Sequence, residues 1–191
     1  TNILFVEYVA YFVIGKILDV FTSVSSFGQA YRTDSSMFLL LGRFTNATLG
    51  ALNVLVIYWL GRESRSRIIG LLAALFLAVA FLHVRDSHFA VPDLTATFFV
   101  SLSILFCVLA IHRGNPLYQH LATATGGFTI ATKWSAWPII VPLFMTILFD
   151  IRKSPDPFLS AVSFKKKIIP CFVTFILGFL VGGFQLVLKP L

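Results

Sequence analysis

The chain has 191 residues, of which 58% are hydrophobic and 12% charged, with 21 Phe and a mean hydropathy of +0.89. A soluble domain of this size has no use for so much apolar surface, so the class is a polytopic all-α membrane protein whose first partner is the lipid bilayer. The formal net charge of +7 would suit a nucleic-acid partner if it were gathered on one surface, but nine of the 15 Lys and Arg fall in three connections: Arg62, Arg65 and Arg67; Arg113; and Arg152, Lys153, Lys165, Lys166 and Lys167. That is how basic loops fix membrane orientation, and nucleic acid is excluded. Two cysteines, Cys107 and Cys171, both lie in apolar runs and supply neither a disulfide nor a metal framework.

The chain opens at Thr1, already inside an apolar stretch without an initiator Met, and ends at Lys189, Pro190 and Leu191. The expectation is a fragment of a longer protein, made of one transmembrane domain. Residues 1–36 would form an extracytoplasmic loop with an interface helix, and 37–191 the transmembrane helices. Residues 2–21 are apolar but carry Glu7, Lys16 and Asp19. At about 100° per residue Lys16 and Asp19 share a face. The pattern predicts an amphipathic helix along the membrane surface, with Tyr8 and Tyr11 at interfacial depth; a tilted span is the alternative. Residues 22–36, rich in Ser and Gly, read as a water-exposed loop, and Asp34, Ser35 and Ser36 as the N-cap of the next helix.

Residues 37–60 are the first clear span. Arg43 lies early in it, and Thr45, Asn46, Ala47, Thr48, Gly50 and Ala51 form a small-residue stripe suited to close packing in lipid. Tyr58 and Trp59 mark its far interface. Residues 61–67 are a basic cytoplasmic loop. Residues 68–82 return to the other side, 94–111 cross again, and 112–116 form a second basic loop. Residues 117–132, with Thr123, Thr125, Gly126, Gly127, Thr129 and Thr132, predict a helix buried among others. Residues 138–149 cross back to a basic loop that reaches Lys167, and 168–188 are the last span. The expected fold is therefore about six spans plus one interface helix.

Between the runs 68–82 and 94–111 stands a polar island. Five of the twelve residues at 82–93 can carry charge: His83, Arg85, Asp86, His88 and Asp93. A plain turn needs only Gly, Asn or Ser, and ionisable groups beside hydrocarbon face water, one another or a ligand. With Arg43 and Lys133 at the same end, this island is the candidate site.

Three patterns carry a family resemblance: Leu40, Leu41, Gly42, Arg43 and Phe44 opening a span that closes at Tyr58, Trp59, Leu60, Gly61 and Arg62; Val84, Arg85, Asp86, Ser87, His88 and Phe89 followed by Pro92 and Asp93; and the run from Gly126 and Gly127 to Lys133 and Trp134. Over roughly residues 38–137 the chain resembles the membrane-embedded GT-C glycosyltransferases of the protein O-mannosyltransferase (family 39) and aminoarabinose-transferase group. The resemblance implies a GT-C-like helical bundle. It also implies a transferase that takes a sugar from a polyprenyl-phosphate donor (dolichyl or undecaprenyl) and passes it to a protein, lipid or glycan acceptor outside the cytoplasm. The setting would be a bacterial or archaeal plasma membrane or the ER membrane. The family's acidic catalytic residue would lie ahead of Thr1, with Asp93 and His88 as candidates within the chain.

Inverting displacement of a sugar from phosphate needs a base for the acceptor proton, cations for the leaving phosphate and an apolar groove for the lipid tail. Arg43, Arg85 and Lys133 are the candidate cations, His88 a phosphate or sugar ligand, and Asp93 a partner that orients Arg85 or binds a sugar hydroxyl. Each has a structural alternative: snorkelling for Arg43, interfacial anchoring for Lys133, capping for Asp93, backbone satisfaction for His88, and pairing of Asp86 with Arg85. His83 reads as structural. No cofactor is called for by a local motif and no metal-ligand spacing is seen, though some relatives use a divalent cation. A membrane transporter and a non-catalytic polyprenyl-lipid-binding subunit stay open as other classes.

Overall fold

The computed structural model describes the backbone of residues 2–152 and 157–183 and the side chains of 3–149 and 168–183. Among these residues every regular element is a helix. α1 (Asn2–Ile17) is the expected first helix, but it stops at Ile17 and Asp19 stands beyond it in a turn at φ 57°. Lys16 and Asp19 therefore share no helix face. Tyr8 and Tyr11 are half-buried. Their rings meet Phe38 edge-on with centroids 5.3 and 5.5 Å away, leaving Val6, Val9, Val13 and Ile17 as the outward stripe.

The loop expected over 22–36 is mostly helix, α2 (Val24–Thr33). Ser23 and Ser26 close a reciprocal cap at its start, which satisfies two otherwise orphaned N–H groups. Phe27 and Tyr31 then join Tyr8 and Tyr11 around the buried Phe38. Asp34 caps the next helix: its carboxylate accepts the Ser36 hydroxyl and N–H, bonds that hold it below the ordinary carboxylate range.

α3 (Ser36–Ser64) is longer than the span read from the sequence, because Gly61, Arg62, Glu63 and Ser64 continue it. Only Arg65 and Ser66 remain as the connection, and Ser66 caps α4 (Arg67–Val79). The buried residues of α3, namely Phe38, Gly42, Asn46, Gly50, Asn53 and Val56, recur every three or four positions and form one face. After a break at Ala80 comes α5 (Phe81–Ser87), bent by 61° from α4. Residues 82–87 of the polar island are thus helical, where a turn was expected.

α6 (Pro92–Arg113) starts with Pro at its first position and ends at Gly114 in the left-handed conformation, as helix termini prefer. It packs against α3 on one side and α7 (Pro116–Thr132) on the other. α7 is the interior helix that its Thr and Gly content predicted. Gln119, Ala122, Thr123, Gly126, Gly127, Thr129 and Ile130 are all buried. A 3-10 turn (Trp134–Ile139) leads into α8 (Ile140–Arg152). α9 (Pro157–Gly182) begins ten residues before Lys167, so Lys165, Lys166 and Lys167 belong to a helix and not to the loop expected there. The stretch 184–188 of the expected last span, and Lys153, lie outside the described residues.

Contacts between helices follow membrane logic, with small residues and hydroxyls rather than large apolar knobs. Gly178 of α9 lies so close to the carbonyl of Ala124 that a Cβ would collide with it. Thr123 and Thr174 share a hydroxyl–hydroxyl bond of 2.7 Å across the same seam, and Ser103 donates to the Ala122 carbonyl at 2.8 Å between α6 and α7.

Two described helices, Ser36–Ser64 and Pro92–Arg113, are each long and apolar enough to cross a bilayer, and α4 with α5 makes a third if the bent pair is one span. These are the spans that length and hydropathy identify among the described residues, against about six expected over the whole chain. α7, at 17 residues, reaches only about 25 Å of a hydrocarbon core of about 30 Å, and the apolar stretches Trp134–Phe149 and Ile168–Gly182 are shorter still. The protein is an all-α membrane protein whose bundle has two distinct polar ends. At one, Arg113 Nη2 lies 3.3 Å from Glu63 Oε1 and its Nη1 donates to Tyr118 at 3.1 Å. At the other, Lys133 is ion-paired with Asp93.

Candidate functional site

The end that holds Asp93 is built on Asn46. Only 4% of this side chain is exposed, and both its N–H groups are used. Asn46 Nδ2 donates to the carbonyl of Phe89 and, at 2.8 Å, to that of Val91. Its Oδ1 accepts from Thr95 at 3.4 Å. One side chain on α3 thereby fixes the turn joining α5 to α6. Gly50, one turn further along, lets α5 approach: a Cβ there would strike Ser87 Oγ. His83 donates its Nε2–H to the Gly50 carbonyl at 3.2 Å, the structural role expected of it, and Ser87 Oγ bonds the His83 carbonyl at 2.7 Å. The sequence reading placed Asn46 only in a packing stripe. An Asn inside an apolar span carries two donors and an acceptor that lipid cannot satisfy, and that was the available signal for a clamp. It likewise missed that Thr45 donates its hydroxyl to Glu7, tying α1 to α3.

This scaffold sorts the five predicted residues into two pairs and leaves Arg85 apart. Arg43 and His88 line one open groove of about 460 Å³, with Leu40, Phe44, Ala47 and Phe89 as its apolar wall. Arg43 has no hydrogen-bond or ion-pair partner among the described residues. His88 donates Nδ1–H to the Val84 carbonyl at 2.7 Å. The bond fixes its tautomer and leaves Nε2 without a hydrogen bond among the described residues, in the groove that Arg43 also lines. A groove with a free guanidinium, an imidazole nitrogen and an apolar wall suits an anionic head on an apolar body.

Asp93 and Lys133 form the second pair. Asp93 occupies the first turn of α6, where the helix dipole favours a carboxylate. Lys133 is the C-cap of α7, its N–H reaching the Thr129 carbonyl at 2.9 Å. Their side chains stay 45% and 40% exposed, so the pair is reachable from outside the bundle. Arg85 stands apart. Its guanidinium meets Asp86 through Nη2 at 2.8 Å and Nε at 2.9 Å and lies over the Phe81 ring. The expectation that Asp93 orients Arg85 is corrected: the neighbouring Asp86 is nearer in sequence and takes that place, and Asp93 is held by Lys133.

Between α7, α8 and α9 runs an apolar cleft of about 260 Å³, lined by residues such as Ile140, Leu143, Phe144, Ile147, Phe172 and Phe175. Among the described residues no three His, Cys, Asp or Glu side chains converge as a metal site would need.

A family model described as dolichyl-phosphate-mannose-protein mannosyltransferase matches residues 18–185. An uncharacterized protein of Aquifex aeolicus (strain VF5) is 25% identical over 119 residues, which are 62% of this chain and 24% of that protein. The chain thus spans about a quarter of that relative's length. No solved structure matches.

Proposed function

The chain belongs to the dolichyl-phosphate-mannose-protein mannosyltransferase family, and from that premise we propose that it is part of a glycosyltransferase that moves a sugar from a polyprenyl-phosphate donor to an acceptor on the extracytoplasmic side. The observation that carries the reading is the unpaired Arg43 in one groove with His88, at the same end of the bundle as Asp93 and Lys133.

In the reaction an acceptor hydroxyl or amine attacks the anomeric carbon from the face opposite the phosphate. The bond from that carbon to the phosphate oxygen breaks with inversion, and the carrier phosphate gains a negative charge as the acceptor loses a proton. Arg43 meets the growing charge with a fork of N–H donors that stays protonated. His88, with its Nδ1–H on the Val84 carbonyl, offers Nε2 as an acceptor to a sugar hydroxyl. Lys133 turns from Asp93 to the phosphate as a movable point charge, and Asp93 returns it to the ion pair once the product leaves. Asp93, freed as Lys133 turns to the phosphate, and the acidic residue that the family resemblance implies ahead of Thr1 are the two candidates for taking the acceptor's proton. The apolar wall of the same groove, formed by Leu40, Phe44, Ala47 and Phe89, receives the first isoprene units of the carrier.

The test is turnover of a polyprenyl-phosphate sugar by the full-length protein in liposomes. Arg43→Ala and Lys133→Ala should each lower it by about tenfold or more, roughly 1.4 kcal/mol of barrier. Neither change should cost more than about 1 kcal/mol of stability, since both side chains are exposed. Turnover unchanged in both variants removes these cations from the chemistry. The break between α4 and α5 is a feature a transporter would share; saturable flux of a solute without any sugar transfer would favour that reading.

A further inference from the structure

Asn53 lies seven positions beyond Asn46 on the same buried face of α3 and is 1% exposed, one of the most completely buried side chains among the described residues. It differs from Asn46 in its partners. Neither its Nδ2 nor its Oδ1 has a hydrogen bond to any of the described residues. An amide so enclosed normally bonds to protein or to ordered water. Here no described protein group supplies the bond.

Asn53 lies between α6, where a Cβ on Gly50 would meet Leu94 and Val56 packs with Leu105, and the α4–α5 pair, where two contacts set the register of α3. Gly61 backs onto Gly70, and Gly50 accepts the bond from His83. The helices run antiparallel, so the level of Asn53 falls near residues 78–80, where α4 ends. The chain between Gly70 and Pro92 has neither Gly nor Pro, yet at Ala80 it bends by 61°. A sharp bend without those residues points to a side chain or water inserted in the hydrogen-bond ladder. The Ala80 N–H falls back on the Leu77 carbonyl and the Val84 N–H takes that of Ala80, while the carbonyls of Ala78 and Val79 receive no N–H from the described residues. The bonds from His83 to Gly50 and from Asn46 to Phe89 and Val91 explain where α5 is drawn. They leave open what satisfies the interrupted ladder. Counting 13 residues of α4 at about 1.5 Å each, the break lies about 20 Å from the basic end, inside a core of about 30 Å, where an unsatisfied backbone group is tolerated only next to protein or water.

We propose that the seam between α3 and the α4–α5 break is a water-binding site, in which one or more ordered waters bridge the Asn53 amide to the free carbonyls at the end of α4. The site goes beyond the sugar-transfer reading and does not depend on it. Such waters let α5, which carries Ser87 and the approach to His88, keep its bent course without a proline.

Cryo-electron microscopy of the full-length protein in lipid nanodiscs, at a resolution that shows ordered solvent, tests this directly. The expected map has water density within hydrogen-bond distance of the Asn53 amide and of the Ala78 or Val79 carbonyl. An Asn53 amide bonded to another protein group, or packed dry, overturns the proposal. In Asn53→Leu the same densities should vanish while α5 stays folded. Waters that persist there would belong to the break alone and would overturn the part assigned to Asn53.

Discussion

Without the amide of Asn46, the carbonyl of Val91 would lose the side-chain donor that reaches it at 2.8 Å, and that of Phe89 would keep only the Val91 N–H. The protein would still contain every charged residue of the candidate site, but the turn that presents His88 and Asp93 would no longer be pinned to α3. We therefore expect Asn46→Leu to cost about 1–3 kcal/mol of stability, the usual penalty for stranding a buried polar group, read as a fall in Tm in detergent. Asn46→Asp should do no better, because a carboxylate has no N–H for either carbonyl. A Tm unchanged in both variants would mean that the turn is held without the clamp. The same residue marks a limit of sequence reading. Arg43, Arg85, His88, Asp93 and Lys133 stand out by charge alone, and four of them do fall into two pairs. Their pairing depends on which helix faces which, and no periodicity states that. Asp86 beside Arg85 was visible as a competitor. That Lys133, 40 positions along, would capture Asp93 was not.

At the level of elements, helix–helix seams here depend on backbone approach. Gly178 packs on the Ala124 carbonyl and the adjacent Thr123–Thr174 bond crosses the same seam. A methyl group has no room, since the nearest atom is backbone rather than a side-chain tip that could swing away. Gly178→Ala should cost about 1–3 kcal/mol as an overpacking change, with α9 shifted from α7. Thr174→Val should cost less, near the average of about 0.6 kcal/mol for such bonds in membrane proteins. Thermal melts of the two variants give the order, and a Gly178→Ala protein as stable as the parent would contradict the seam. The helical class and the interior position of α7 were legible from hydropathy and from its Thr and Gly content. α2 was not, because Ser and Gly at 22–28 read as loop chemistry. The helix is made by a Ser23–Ser26 cap and by aromatic rings meeting on Phe38, neither of which is a local propensity. The break at Ala80 was invisible for the converse reason: an unbroken apolar run contains nothing that announces a bend.

Over the whole molecule the arrangement has a direction. The Glu63–Arg113 pair ties the ends of α3 and α6 on one face, and the Asp93–Lys133 pair ties the start of α6 to the end of α7 on the other. Arg62, Arg65, Arg67 and Arg113 belong to the first face, so the proposed reading, following charge bias, takes that face as cytoplasmic and the groove of Arg43 and His88 as external. Both native cysteines are buried and can be replaced by Ala to give a silent background. Ser64 and Ser135 are exposed, one at each end, and neither belongs to the site. In intact cells a membrane-impermeant maleimide should label Ser135→Cys at once and Ser64→Cys only after permeabilisation. The reverse pattern would place the groove in the cytoplasm, where a donor displayed on the outer leaflet never reaches it. Equal labelling of both positions in sealed cells would contradict the two-ended bundle itself. The proposed chemistry thus depends on a property of the whole chain, the charge difference between its two ends, as much as on any residue that touches the phosphate.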